Sequence, residues 1–245
     1  MKGSIVAIVT PMLKNGDIDF ASFKNLLSFH ADAGTDGIVL VGTTGESATL
    51  NKKERAEIFS FANSNTDIPL IAGVGSSSTA EAIELVECSL KNGIKKCLAV
   101  TPYYNKPSQK GLELHYIELS KVGAEIILYN VPGRTGVDLL PTTIEKLIEI
   151  KTIAGIKEAV NTEDRFLALS KIKDKRQDFQ LYSGDDPSYV EFMKFKGDGV
   201  ISVAANVMPK EIKELSNLCL AGNFIEAEKT IKTVSYTHLR AHETS

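Results

Sequence analysis

Eight short β-branched runs alternate with longer amphipathic segments along the chain, at residues 4–10, 37–41, 69–72, 96–101, 126–129, 153–157, 179–182 and 199–202. Strand-like runs separated by helix-length intervals, repeated, are the signature of parallel strands joined by helical crossovers. No Pro/Ser-rich or single-charge linker breaks the series. Two architectures accept it, an open doubly wound sheet or a closed barrel. A count of eight with no second domain favours closure, so the predicted fold is α/β, a (β/α)8 TIM barrel. The 245 residues suit one barrel of this kind.

Helix starts carry their own chemistry. Ser78-Thr79-Ala80-Glu81 and Thr142-Thr143-Ile144-Glu145 read as capping boxes, and Asp186-Pro187 reads as a cap before a proline at the first helical position. Phe20, Phe23, Leu26, Leu27 and His30 recur on one helical face, which burial would lay against the sheet.

Hydrophobic residues make up 43% and charged residues 24% of the chain, a balance that supports a sizeable core and argues against disorder. With a net charge of -3 and its Lys and Arg scattered, the sequence has no basic stripe for a phosphate backbone, so nucleic acid is not an expected partner. The N-terminal apolar run is too short for a secretory signal, and no stretch reaches about 18 apolar residues; a cytoplasmic protein with no membrane partner is expected. Cys88, Cys97 and Cys219 are widely spaced in apolar surroundings and read as buried free thiols. The histidines are not read as a ligand set, His30 and His115 falling in helical patterns, and no metal is expected.

In such a barrel the loops after the strands converge on one mouth, so catalytic groups are sought where strands end. Those positions hold Thr10-Pro11, Gly42-Thr43-Thr44-Gly45-Glu46, Gly73, Thr101-Pro102-Tyr103-Tyr104-Asn105, Tyr129-Asn130, Lys157-Glu158, Ser183-Gly184 and Ser202. Hydroxyls abound, with a single lysine. Lys157 ends the apolar run Ile153-Ala154-Gly155-Ile156, where desolvation disfavours an ammonium and frees an amine nucleophile. It is either a Schiff-base lysine or a structural lysine paired with Glu158. Neighbours on a strand point to opposite faces, which stops that pair from closing within the lumen. Tyr129, one strand earlier, can shuttle the proton that imine formation requires. Thr43 and Thr44 add hydroxyls that can pass a proton or hold a carboxylate.

Two glycine-rich stretches test other chemistries. Gly73-Val74-Gly75-Ser76-Ser77-Ser78 follows a strand and opens a helix, but Ser78 stands where a dinucleotide fingerprint needs its third glycine, and no acidic residue ends the next strand. The turn at 42–46 lacks the Gly-Lys-Ser/Thr of a phosphate-binding loop. Asp185 and Asp186 bring carboxylates to the loop after the seventh strand, close to where barrels commonly bind phosphate, so a phosphorylated substrate is disfavoured.

Four motifs in order, Gly42-Thr43-Thr44-Gly45-Glu46-Ser47, Thr101-Pro102-Tyr103-Tyr104-Asn105-Lys106-Pro107, Tyr129-Asn130-Val131-Pro132-Gly133-Arg134-Thr135-Gly136 and Gly155-Ile156-Lys157-Glu158-Ala159, resemble the 4-hydroxy-tetrahydrodipicolinate synthase (dihydrodipicolinate synthase) family, within the pyruvate-dependent class I aldolase and N-acetylneuraminate lyase superfamily. The resemblance runs from Ser4 to about Thr233. It implies a homotetramer, a dimer of dimers, in which Lys157 condenses with pyruvate and the enamine attacks L-aspartate 4-semialdehyde. This is a lyase step of diaminopimelate and lysine biosynthesis, with no cofactor besides the covalent pyruvate imine on Lys157. The family's proton relay would fall on Tyr129, Thr43 and Tyr104, the last reaching into a neighbouring subunit's site. Thr44 would help to hold the pyruvate carboxylate, and Gly184 and Ile201 would supply backbone groups beside the keto acid. Arg134, otherwise a surface arginine in a Pro-Gly turn, would grip the semialdehyde's carboxylate with its guanidinium fork.

Departures from the family matter too. Lysine-inhibited relatives use a regulatory site that matches at Ser47, Ala48, Glu81 and Tyr103, whereas Lys52, Arg55 and Ser77 replace two histidines and an asparagine. Two added cations would repel the effector's ammonium groups, so weak or absent feedback inhibition is expected. The family also continues past the barrel into further helices. Residues 1–222 are assigned to the barrel, 223–233 to the start of a helical region otherwise largely missing, and 234–245 to a non-native tail. The shortened end is expected to weaken the tetramer. Two other readings share this frame: a pyruvate lyase acting on a non-phosphorylated sugar acid such as N-acetylneuraminate or 2-keto-3-deoxygluconate, and an inactive barrel.

Overall fold

The computed structural model describes residues 1–232. Its strands are β1 (Gly3–Ala7), β2 (Gly37–Leu40), β3 (Leu70–Gly73), β4 (Lys96–Val100), β5 (Glu125–Asn130), β6 (Ile153–Glu158), β7 (Gln180–Ser183) and β8 (Gly199–Ser202). They pair in parallel and in chain order, and β1 closes on β8 with Gly3 opposite Gly199 and Val6 opposite Ser202. The predicted (β/α)8 barrel is the observed fold. All eight predicted runs fall on strands, although the run at 4–10 pairs as a strand only to Ala7. Beyond it the Ile8 amide still donates to the Val39 carbonyl at 3.1 Å.

The crossovers are α1 (Phe20–Asp32), α2 (Lys52–Asn65), α3 (Thr79–Lys91), α4 (Gln109–Ser120), the short α5 (Pro132–Thr135) with α6 (Pro141–Leu147), α7 (Glu163–Lys175) and α8 (Tyr189–Lys194). The helix α9 (Pro209–Leu220) follows β8, and residues 224–232 are helical as well. Residues 234–245, expected to be non-native, lie outside the described residues. So do His238 and His242, which stand four apart.

The period of two along each strand sorts the core into two layers. Outward residues such as Val6, Ile38, Ala72, Leu128 and Ile156 pack against the helices, including Phe23 and Leu27 of α1. Phe20 and Leu26 of the predicted α1 face are partly buried at its margin. Inward residues, among them Ile5, Val39, Ile71, Leu98, Ile127, Tyr182 and Ile201, fill the lumen. Each such side chain contributes about 1.5–3 kcal/mol by leaving water. Cys97 and Cys219 are buried free thiols as expected, but Cys88 is only half-buried.

Several helix starts differ from expectation. Ser78 does cap α3, accepting from the Glu81 amide, but the Glu81 carboxylate accepts from the Ser76 hydroxyl at 2.6 Å and leaves the box half closed. The box at Thr142 does not form, because Pro141 already occupies the first turn and α6 starts from Leu140 with no side-chain cap. Asp186 caps no helix; α8 begins three residues later, after Ser188. The complete capping box is at Asn51, whose side chain accepts from the Lys53 and Glu54 amides while Glu54 reaches back to the Asn51 amide.

Candidate active site

A cavity of about 470 Å³ opens at the C-terminal ends of the strands, lined by Thr43, Thr44, Ser47, Tyr129, Arg134, Lys157, Gly184 and Asp185 among others. Its polar groups come from the ends of β5 and β6 and from the loops after β2, β5 and β7, which is the placement strand-end reasoning predicts.

Lys157 is buried in the lumen wall, with its Nζ over the Tyr129 ring at 4.5 Å from the centroid. Burial lowers its pKa from 10.5 to about 8; the Asp186 carboxylate raises it and the Arg134 guanidinium lowers it further, both by smaller amounts. Glu158 points the other way, into the sheet–helix layer, where it meets Asn130 and Arg165. The strand alternation thus rules out the Lys157–Glu158 pair. Burial raises the Tyr129 phenol above its ordinary value, while Arg134 and the Thr43 hydroxyl draw it down. The phenol therefore stays protonated near neutrality and can donate.

Glycine fits this site for steric reasons. A Cβ on Gly184 would stand 3.1 Å from Lys157 Cε and 3.0 Å from the Glu158 carbonyl, so glycine leaves the lysine its space. The glycines at 73 and 75 answer a packing need. A Cβ on Gly73 would fall 2.1 Å from the Val41 carbonyl, and one on Gly75 would fall 2.4 Å from Val100 Cγ1. They permit neighbouring backbones to approach closely.

The structure does not gather every candidate. Tyr104 lies outside the cavity with its side chain 93% exposed. Ile201 is buried in the inner core layer and does not line the cavity. Of the expected regulatory residues, Ser47 lines the cavity at the start of a 3-10 turn (Ser47–Thr49) that also holds Ala48. Glu81 is held by Ser76, and Tyr103 is partly buried in the loop after β4. The two cations expected to repel an effector have partners of their own. Lys52 forms an ion pair with Glu84, and Arg55 is buried, donating to the Ser47 carbonyl at 2.6 Å and the Leu50 carbonyl at 3.2 Å. The Lys52 ammonium thus has a carboxylate partner, whereas the Arg55 guanidinium, bonded to neutral carbonyls, keeps its charge.

Sequence reasoning missed two features. Asp186 accepts from the Val203 and Ala204 amides, both at 3.0 Å, and so ties the loop after β7 to the loop after β8. Among the described residues, four of the five non-glycine positions with positive φ frame the mouth: Val41 and Glu46 after β2, Tyr104 and Lys106 after β4. Left-handed backbone at a β-branched valine is strained and is the kind of outlier that collects at functional sites. No residue preference could have announced it, since valine disfavours that conformation.

A sequence profile of the Dihydrodipicolinate synthetase family matches residues 1–240, which carries the match past Thr233. The chain belongs to this family. The 4-hydroxy-tetrahydrodipicolinate synthase of Buchnera aphidicola subsp. Schizaphis graminum is 45% identical over 240 residues, 97% of this chain and 81% of the relative. That of Shewanella piezotolerans is 47% identical over 242 residues, covering 96% and 81%. Among solved structures, a chloride-inhibited dihydrodipicolinate synthase from Acinetobacter baumannii complexed with pyruvate is 43% identical with a TM-score of 0.92, covering 97% of this chain and 82% of that one. The solved family structure thus shares the barrel. No helix among the described residues is long and apolar enough to cross a membrane.

Proposed function

We propose that this protein condenses pyruvate with L-aspartate 4-semialdehyde to give 4-hydroxy-tetrahydrodipicolinate, through a Schiff base on Lys157. The observation that carries this reading is a buried lysine at the barrel mouth, with a pKa of about 8 and no carboxylate among the described residues within ion-pair distance. At pH 7 roughly a tenth of such amines are free, against a few in ten thousand at the ordinary value. The Lys157 amine attacks the pyruvate carbonyl carbon, and the resulting carbinolamine loses water to give the iminium. Tyr129 is placed to supply and recover protons, with Thr43 beside it. Loss of a methyl proton gives the enamine, whose carbon attacks the aldehyde. The semialdehyde's own amine then displaces Lys157 and closes the ring, returning the free lysine.

Thr44 and the backbone at Gly184 suit the pyruvate carboxylate, with Ile201 backing that corner from the core. Arg134 suits the semialdehyde's carboxylate, because a guanidinium matches it bidentately. A sugar-acid substrate would leave that cation facing hydroxyls. The exposed Tyr104 supports its role as a residue lent to a neighbouring subunit's site, within a dimer of dimers. We place the enzyme in the cytoplasm, where its free thiols would persist.

Incubation with pyruvate, borohydride reduction and peptide mapping tests the reading. The adduct is expected on Lys157, forming faster as pH rises toward about 8, the pKa of that amine. No adduct there would sink it. Turnover of aspartate semialdehyde but not N-acetylneuraminate separates the synthase from the sugar-acid lyase, and light scattering reads the assembly.

A further inference from the structure

Four polar side chains meet on the far side of the sheet from Lys157, between β5, β6 and α7. Asn130, the last residue of β5, donates to Glu158 Oε1 at 3.0 Å and to Asp138 Oδ1 at 2.7 Å. Glu158 also accepts from the Val160 amide at 2.8 Å and from Arg165 of α7 at 3.2 Å. Arg165 reaches on to Asp138 Oδ2 at 2.5 Å and to the Leu139 carbonyl at 2.9 Å, and the Asn130 carbonyl oxygen Oδ1 accepts from the Leu139 amide at 2.9 Å. Asn130, Glu158 and Arg165 are buried, with Glu158 1% exposed.

These contacts have a direction. The segment between Asn130 and Asp138 is the one that carries α5 and Arg134, and the cluster grips it at both ends. It also fixes the end of β6, where the Glu158 carbonyl accepts from the Gly184 amide at 2.6 Å. A buried carboxylate whose side-chain partners are all donors fits only while it is ionised. If it is protonated, or replaced by an amide, a hydrogen faces those donors and part of the grip is lost.

We propose that Glu158, through Asn130, Arg165 and Asp138, is the positioning residue for Arg134, and that it governs how tightly the second, carboxylate-bearing substrate binds while leaving imine formation alone. The inference rests on the reading of Arg134 given above. Burial brings the Glu158 carboxyl up to about 7, opposed by Arg165 and Asn130 and reinforced by Asp138, while the Tyr129 phenol lies across the same two strands. The grip therefore loosens as pH falls below about 7.

The test compares the parent protein with Glu158→Gln and Asp138→Asn at pH 6, 7 and 8, by borohydride trapping of pyruvate and by steady-state kinetics with aspartate semialdehyde. In Glu158→Gln, trapping is expected within about twofold of the parent, while KM for the semialdehyde rises about tenfold or more with a much smaller change in kcat. The parent's KM should climb from pH 8 to pH 6, whereas the variant's should stay high and flat. Asp138→Asn, at a position nearer solvent, should move KM the same way by about threefold. If Glu158→Gln does not fold, Asp138→Asn decides by the same criterion. An unchanged semialdehyde KM in a parent-like trapping background overturns this inference and spares Lys157. Parallel loss of trapping and KM also overturns it, because the cluster would then merely hold the barrel together. Failure of the parent itself to trap pyruvate removes the Lys157 reading and this inference with it.

Discussion

Lys157 and Lys173 are both buried, one at the mouth of the barrel and the other near its floor. Lys173 extends from α7 to an ion pair with Asp198, just before β8, and donates to the Phe179 carbonyl at 3.3 Å. Asp198 in turn accepts from the Leu181 amide at 2.9 Å and pairs with Lys2 at 3.1 Å. Lys157 has an aromatic face, a glycine and an open cavity around its amine. The side chain and its burial are alike, so the partner makes the difference. A buried ammonium given a carboxylate becomes a strut, and one denied it gives up its proton more readily.

Denial has an energetic cost. The folded pKa of Lys157 lies below the unfolded one, so the unfolded chain binds the extra proton between about 8 and 10.5. Stability therefore rises with pH through that window, and below it the buried lysine costs roughly 3 kcal/mol.

The sharpest way to break this comparison is Lys157→Met. It should abolish the pyruvate adduct and lower turnover by at least about a thousandfold. It should also raise stability at pH 7 by up to roughly 3 kcal/mol in urea melts, an advantage that fades above pH 10. A variant that melts lower would show that Lys157 is structural after all. Next comes Asp198→Asn, which strips the floor lysine of its anion. A loss of about 3–5 kcal/mol is expected, with trapping at Lys157 intact in the folded protein. Tyr129→Phe removes the donor beside the amine and should slow imine formation about a hundredfold, read from the time course of borohydride-trapped product. The smallest effect is expected for Gly184→Ala, whose methyl would press on Lys157 Cε. An approximately tenfold slower adduct formation with a stability change below about 2 kcal/mol would confirm that the glycine is there for space.

The same contrast explains what could be read from the chain alone. The strands, the lumen-facing lysine and the outward turn of Glu158 follow from local period and position, and the structure bears all three out. Lys173 with Asp198, 25 residues apart, and Asp186 with the Val203 amide, 17 apart, depend on which loops closure brings together. Asp186 before a proline looks like a helix cap because the local geometry is right; the loop after β8 wins its carboxylate instead. Lys52 looked like a free cation because Glu84, on the next helix, is invisible to local spacing. The left-handed backbone at Val41 runs against local preference, so only the assembled mouth accounts for it.

Closure of β1 on β8 also has a consequence for synthesis. The strand that starts the barrel must wait for residues about 196 positions later before its outer edge is paired, from Gly3 to Gly199. At ribosomal speeds of about 5–20 residues per second, this interval lasts on the order of 10–40 s. Throughout it the nascent chain carries an unpaired apolar edge at β1, a template for any other strand it meets. The half-made enzyme is thus at greater risk than the finished one, and the barrel's last seam to close spans almost its whole length.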